Sequence, residues 1–231
     1  NINHVSNPRN GVSNMRIFVS TIFLGAIIST FISAEDNTKL IMELKSKDAE
    51  VRRAAAKSLG ENGADDSKVS AALILALQDK DAFVRRFSAQ SLGALKTQNK
   101  DAIPALASIL NNPDEKKDNQ NAAAIALGKI GSSSFSVLHS TLKNKTASMN
   151  VREKAIDAIG NLGKDAKSAV PDLIETLKEN DLRLSSAVAL GKIGSDAKQA
   201  KESLKSIVED KKERDKSFKA AASAALKSIG N

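Results

Sequence analysis

Cysteine, tryptophan and tyrosine are absent, and only two histidines and four prolines occur in the 231 residues. Without cysteine there is no disulfide framework, no thiolate zinc site, no thiol nucleophile and no lipid anchor on Cys. Aromatic side chains amount to 3%, whereas hydrophobic residues reach 41%. Apolar content that is mostly Ala, Leu, Ile and Val suits closely packed helices better than a sandwich or barrel. The histidines, His4 and His139, each stand alone. A metal site or a Ser-His-Asp triad is therefore poorly supplied, and no Gly-x-Ser-x-Gly elbow occurs. The expectation is no cofactor, no metal and no catalysis, with His139 solvated on a helix.

Acids are missing before residue 35, where Arg9 and Arg16 are the only charged side chains. The remainder carries 33 basic and 27 acidic residues, most of the net +8 of the chain. That excess draws anionic partners at long range, but it is also an ordinary means of staying soluble, which is the reading taken here. Lysines gather at several turns, for example Lys116-Lys117 and Lys211-Lys212, yet Asp114, Glu115, Asp118, Asp210 and Glu213 are interleaved with them. With few aromatic platforms as well, nucleic-acid binding is not favoured.

The N-terminal part reads as an address. Met15-Arg16 is followed by an apolar stretch from Ile17 to Ile32, ending in Ser33-Ala34 before Glu35-Asp36. A basic start, an apolar middle and a small-residue end make a secretory signal pattern. Residues 15–34 are expected to be a signal peptide cleaved after Ala34, and residues 1–14 to be disordered upstream read-through. The product would be exported, periplasmic or secreted. The alternative is an anchor formed by residues 17–34, although Ser20, Thr21, Ser29 and Thr30 make that stretch a poor membrane span.

From residue 35 onward the chain repeats. Leu59-Gly60, Leu92-Gly93, Leu127-Gly128, Ile159-Gly160, Leu190-Gly191 and Leu226-Lys227 recur at steps of 33, 35, 32, 31 and 36 residues. Periods of this size mark stacked supersecondary units. Nine positions before the glycine column stand Val51, Val84, Asn119, Val151, Leu182 and Phe218, each followed by Arg52, Arg85, Gln120, Arg152, Arg183 or Lys219. Two positions before it runs a small-residue column: Ser58, Ser91, Ala126, Ala158, Ala189 and Ala225.

Val51, Ala55, Ala56 and Leu59 fall on one face of a 3.6-residue period. Asp48 and Asp81 precede their helices, where a carboxylate accepts free N–H groups. Gly60, Gly63, Gly128, Gly131, Gly191 and Gly194 are expected at or past helix ends, as left-handed terminators. Each such second helix follows a first one, two of which open with Ala102-Ile103-Pro104 and Ala169-Val170-Pro171, a place where proline is tolerated.

These blocks, and above all Asp48-x-x-Val51-Arg52, Asp81-x-x-Val84-Arg85, Val151-Arg152 and the Leu-Gly-x-Ile-Gly endings, resemble HEAT-like repeats of the short type named after phycobilisome lyases. The resemblance covers residues 35–231. It implies an all-α chain: an α-solenoid superhelix of about six helical hairpins at roughly 35–63, 66–96, 101–131, 134–163, 167–194 and 198–230, preceded by the signal helix. It also implies that first helices line the convex side, that second helices line the concave side, and that the business of the protein is binding other proteins.

The arginine column is expected to be an inter-repeat ladder, each Arg meeting a carboxylate such as Asp48 or Asp81. The third and sixth repeats, with Asn119-Gln120 and Phe218-Lys219, break its pattern.

By phase, the second-helix residues pointing away from the first helices are Arg53 and Lys57, then Arg86 and Gln90, then Asn121, then Glu153 and Asp157, then Leu184 and Val188. Their character passes from basic through neutral and acidic to apolar, which suits an extended polypeptide partner. The function expected is a non-enzymatic exported scaffold binding a protein or peptide in the concave groove. The alternatives are a bilin-lyase-like accessory protein, which export and the lack of Tyr, Trp and Cys oppose, and a nucleic-acid-binding HEAT-like protein.

Overall fold

The computed structural model describes residues 37–62 and 66–230. The expected signal helix at 15–34, the read-through at 1–14 and Gly63 lie outside the described residues. Helices pair in chain order. The first pair is α1, described from 37 to 43, and α2, Ala49–Glu61. Next come α3, Ser67–Ala76, with α4, Ala82–Leu95, then α5, Ala102–Asn111, with α6, Lys117–Ile130. The remaining pairs are α7, Phe135–Lys143, with α8, Met149–Asn161; α9, Val170–Thr176, with α10, Arg183–Ile193; and α11, Lys201–Glu209, with α12, Lys216–Ile229. Among the described residues there is no strand, and no helix is long and apolar enough to cross a membrane.

Local sequence sets where each helix begins. Asp48, Asp66, Asp81 and Asp215 accept hydrogen bonds from backbone N–H groups of the first turns of α2, α3, α4 and α12, and Ser148 does the same for α8. Gly131 and Gly194 follow α6 and α10 at φ of 101° and 70°, a region that an L side chain avoids, so they terminate helices as expected.

The other glycines require a correction. Gly60, Gly128 and Gly191 stand in the last turns of α2, α6 and α10, but they continue the helix in right-handed backbone and do not terminate it. Each faces the small residue of the next repeat: Gly60 meets Ser91, Gly128 meets Ala158 and Gly191 meets Ala225; Gly93 and Gly160 likewise meet Ala126 and Ala189. A Cβ at Gly93 would stand 2.7 Å from the Ala126 Cα, and one at Gly160 2.9 Å from the Ala189 Cα. The two columns are complementary halves of one contact, and the missing side chains let the second helices approach backbone to backbone. The Ser91 hydroxyl strengthens the first such contact by donating to the Ala56 carbonyl at 2.7 Å.

First helices contribute larger buried side chains, Leu73 and Leu77 from the α3 segment, Leu106 and Leu110 from α5, Leu138 and Leu142 from α7. Each fully buried leucine contributes about 1.5–3 kcal/mol. Second helices run closely against one another along the array, whereas first helices are more loosely spaced and meet mainly through side chains. The closely spaced row has the shorter path, so the second helices form the inner side of the curve.

A polar ladder accompanies the apolar core. Arg52 bonds Asp79 through two nitrogens at 2.7 and 2.9 Å, and Arg85 bonds Glu115 at 2.7 and 2.8 Å. Arg152 bonds Glu179 at 2.6 and 3.0 Å, and Arg183 bonds Glu213 at 2.8 Å and Asp215 at 3.3 Å. Each guanidinium thus reaches the inter-helix turn of the following repeat. The ladder is present, but its carboxylates are Asp79, Glu115, Glu179 and Glu213, with the α12 cap Asp215 beside the last; Asp48 and Asp81, the expected ones, cap helices and take no part in it.

The same arginines also hold the turn of their own repeat: Arg52 donates to the Ser46 carbonyl, Arg85 to that of Asp79 and Arg152 to that of Leu142. Where the column changes, this inner half survives. Gln120 donates to the Asn112 carbonyl at 2.8 Å and Lys219 to that of Asp210 at 2.7 Å.

Candidate protein-binding face

Each second helix from α2 to α10 places two positions, about one turn apart, on its outer surface, away from the first helices. Relative to the glycine column, the residues seven and three positions earlier are Arg53 and Lys57 on α2, Arg86 and Gln90 on α4, Asn121 and Ile125 on α6, Glu153 and Asp157 on α8, and Leu184 and Val188 on α10. None of them is buried. All nine expected residues therefore share one face of the stacked second helices.

Their electrostatic character differs from the expected gradient, because the charges at the basic end are largely spent on neighbours. Arg53 holds Asp81 with two bonds, 2.9 and 2.6 Å, and also pairs with Glu50. Asp81 is pushed far below the usual carboxylate range, first by the Arg53 hydrogen bonds and then by the backbone N–H groups of Val84 and Phe83. Lys57 lies 3.5 Å from Glu61, and Arg86 lies 3.4 Å from Asp118. In the middle of the array, Asp157 meets Lys154 at 3.3 Å, and Glu153 accepts from the Ser185 hydroxyl at 3.3 Å. The face is close to neutral, with local pairs in place of a basic patch.

Two further apolar residues on this face, Phe83 and Ile125, are not among the nine expected. Phe83 and Ile125 are 41% and 47% exposed, comparable with Leu184 at 42% and Val188 at 40%. Ile125 occupies the phase of Gln90 and Val188, so its position in the repeat was the available signal. Phe83 is surrounded by cations: the guanidinium carbons of Arg53 and Arg86 stand 4.6 and 5.0 Å from its ring centre, and the Lys116 ammonium 5.8 Å.

Between α4 and α6 the face deepens into a groove of about 600 Å³ lined by Arg86, Gln90, Ala94, Asn121, Ile125 and Lys129 among others. A second, apolar groove of about 500 Å³ lies between the first helices α1 and α3, where Met42 and Leu75 are 63% and 74% exposed.

His139 is not free in solvent. Its Nε2 lies 2.7 Å from an Asp172 carboxylate oxygen, and its ring stacks on Phe135 at 5.1 Å. Both contacts belong to first helices, remote from the second-helix face. Among the described residues no group of three or more His, Cys, Asp or Glu side chains is placed to hold a metal ion.

The family model described as HEAT repeats matches this chain in four overlapping stretches, residues 37–128, 72–149, 103–183 and 136–227. The chain belongs to the HEAT-repeat family. Solved HEAT-repeat-like structures superpose on most of it. An engineered protein matches with a TM-score of 0.54 at 22% identity, over 84% of this chain and 96% of that one. The complex of CpcE and CpcF of phycocyanin lyase from Nostoc sp. PCC7120 matches with a TM-score of 0.55 at 24% identity, over 84% of this chain and 77% of that one. A Kap121p mutant matches with a TM-score of 0.60 at 19% identity, over 84% of this chain but 23% of that one. These likenesses establish the HEAT-repeat fold. A search of curated proteins returned no match.

Proposed function

We propose that this HEAT-repeat chain is an exported, non-enzymatic scaffold that docks a protein or peptide on its second-helix face. The observation that carries the reading is the set of apolar side chains standing exposed on that face: Phe83 on α4, Ile125 on α6, Leu184 and Val188 on α10. They sit among polar residues at positions set by the repeat. Apolar anchors in a polar surround are what a partner-binding surface needs. The Kap121p and CpcE–CpcF likenesses agree with a protein-binding scaffold at the level of fold.

Export is supported by the Met15-Arg16 start, the apolar stretch behind it and the Ser33-Ala34 end. The non-enzymatic part is supported by the placing of His139, which is tied to Asp172 and Phe135 on the opposite side of the array. A bilin-lyase accessory role rests on the fold alone. Nucleic-acid binding is disfavoured because Arg53, Lys57 and Arg86 already have carboxylate neighbours.

The test is site-specific photo-crosslinking in the native host, with a benzoylphenylalanine at Ile125 or Val188, and at Glu175 on α9 as the control. Protein adducts from the two second-helix positions in the exported fraction, with none from Glu175, are expected. Adducts from Glu175 alone, or a chain retained in the cytoplasm, would sink the reading.

A further inference from the structure

The polar side chains of the second-helix face are mostly satisfied, and the departures concentrate between α4 and α6. Arg53, Lys57, Glu153, Asp157 and Lys192 each have a bonded or ion-paired neighbour. Among the described residues, the side chains of Gln90 and Asn121 in the α4–α6 groove have no protein hydrogen-bond partner, and Lys129 forms no ion pair. An amide without a partner both donates and accepts, the requirement for meeting a peptide backbone.

These groups are arranged in order. On α6 the residues Asp118, Asn121, Ile125 and Lys129 form one stripe, and on α4 Arg86, Gln90 and Ala94 form the facing one. From Asp118 to Lys129 the helix rises about 16 Å, which an extended chain covers in about five residues. Gln90, Ala94, Ile125 and Lys129 are all exposed, so the groove is open along its length and can take an internal segment of a longer chain. Ile125 and Ala94 offer an apolar floor beside Lys129, whose charge is unneutralised.

We infer that the α4–α6 groove is a docking site for an extended polypeptide segment in which an acidic residue stands next to an apolar one. The apolar side chain packs on Ile125 and Ala94, the carboxylate meets Lys129, and the backbone bonds the amides of Gln90 and Asn121. Charge complementarity selects the partner: the groove's one nearby acid, Asp118, is at the far end and already faces Arg86. This inference rests on the second-helix face being the docking surface, and it adds the chemistry of what docks there.

Three labelled peptides, capped at both ends and seven residues long, separate the possibilities by fluorescence anisotropy with the full chain. One alternates Glu and Leu, one Gln and Leu, one Glu and Ser. The Glu-Leu peptide is expected to bind at least about tenfold more tightly than either of the others. Lys129→Glu and Ile125→Ser are each expected to weaken it about tenfold while leaving the melting curve in place, and Lys178→Glu, at an exposed turn beyond α9, to change neither.

Equal binding of the Glu-Leu and Gln-Leu peptides, or binding indifferent to Lys129→Glu, would overturn the inference. Stronger capture of a single-stranded oligonucleotide than of any peptide would overturn it as well. If crosslinks from Ile125 and Val188 to protein persist while the Glu-Leu peptide fails, the docking face stands and only the acidic-apolar assignment falls. Loss of both takes the scaffold reading with it.

Discussion

Gly93 on α4 and Ala126 on α6 meet so closely that a Cβ at position 93 would lie 2.7 Å from the Ala126 Cα. The equivalent contact of Gly128 with Ala158 is looser, 3.5 Å, an ordinary van der Waals distance. The same substitution should therefore have opposite signs at two equivalent positions. Gly93→Ala must push two backbones apart and is expected to destabilise by about 1–3 kcal/mol. Gly128→Ala fits the available space and removes a flexible residue from a helix interior, a gain of about 0.5–1 kcal/mol. Urea denaturation of the two variants beside the wild type measures both. A loss at Gly128 as large as that at Gly93 would mean that the column does not act through inter-helix spacing.

The arginine ladder should make stability depend on acid pH. The Arg152 hydrogen bonds are the main reason why the Glu179 carboxyl sits at about 2, with Lys145 assisting and burial opposing. For Asp79 and Glu115, burial is the largest influence and pushes upward, but the bonds from Arg52 and Arg85, together with nearby backbone N–H groups, outweigh it and both fall below the ordinary value. A carboxylate lowered on folding stabilises the native state above its unfolded pKa, near 4.3, and that contribution is lost as pH falls through the folded value. Stability is expected to be flat from pH 7 to about 5 and then to decline toward pH 2. Glu179→Gln should be less stable at pH 7 and show a shallower decline. Denaturant midpoints across that range give the answer, and a Glu179→Gln curve parallel to the wild type would contradict it.

The joint between α6 and α8 combines three weaknesses. Its glycine contact is the loose one, no carboxylate of the fourth repeat answers Gln120, whose Oε1 merely accepts from the Asn150 amide at 3.3 Å, and a polar cleft of about 420 Å³ opens beside it. Repeat arrays open at their weakest interface. In native-state hydrogen exchange at rising urea, amides of α6 and α8 that face this joint should open below the global unfolding free energy, after the ends have frayed. Equal protection at the α2–α4, α4–α6 and α6–α8 joints would refute this.

Much of this architecture was legible from the repeat itself. The phase of Val51, Ala55, Ala56 and Leu59 placed the core stripe of α2, and Asp48 and Asp81 marked helix starts, because both depend on neighbours within a turn or two. The inner glycines were misread because a Leu-Gly pair looks the same at a helix end as at a close crossing. What separates the two is the Ser or Ala about a repeat later, and that pairing emerges only on stacking. Phe83 and Ile125 were missed on the candidate face although Leu184 and Val188, at the phases of Arg53 and Lys57, were placed there; Ile125 shares the phase of Val188, whereas Phe83 lies three residues before Arg86 and reaches the face through its contacts with Arg53 and Arg86. The ladder was foreseen, but its acids were not, since Asp79, Glu115, Glu179 and Glu213 sit in turns of unequal length and occupy three different offsets from the glycine column.

The arginines of the candidate face, alike by phase, should respond differently to charge reversal. Arg53 grips both oxygens of Asp81, and one of those oxygens also accepts the N–H groups of Phe83 and Val84 that open α4. Arg53→Glu would set a like charge against that cap and is expected to lower the melting temperature clearly. Arg86 has only a 3.4 Å contact with Asp118, whose side chain is 78% exposed, a kind of pair worth little in water. Arg86→Gln, which keeps most of the packing on Phe83 and Phe87, should shift stability by no more than about 0.5 kcal/mol. Binding of the Glu-Leu peptide should fall in Arg86→Gln nonetheless, because Asp118 then sets an uncompensated negative charge beside an acidic segment. Thermal melts and anisotropy on the same preparations check both halves; equal melting losses in the two variants would show that Arg53 is not tying the second repeat to the first.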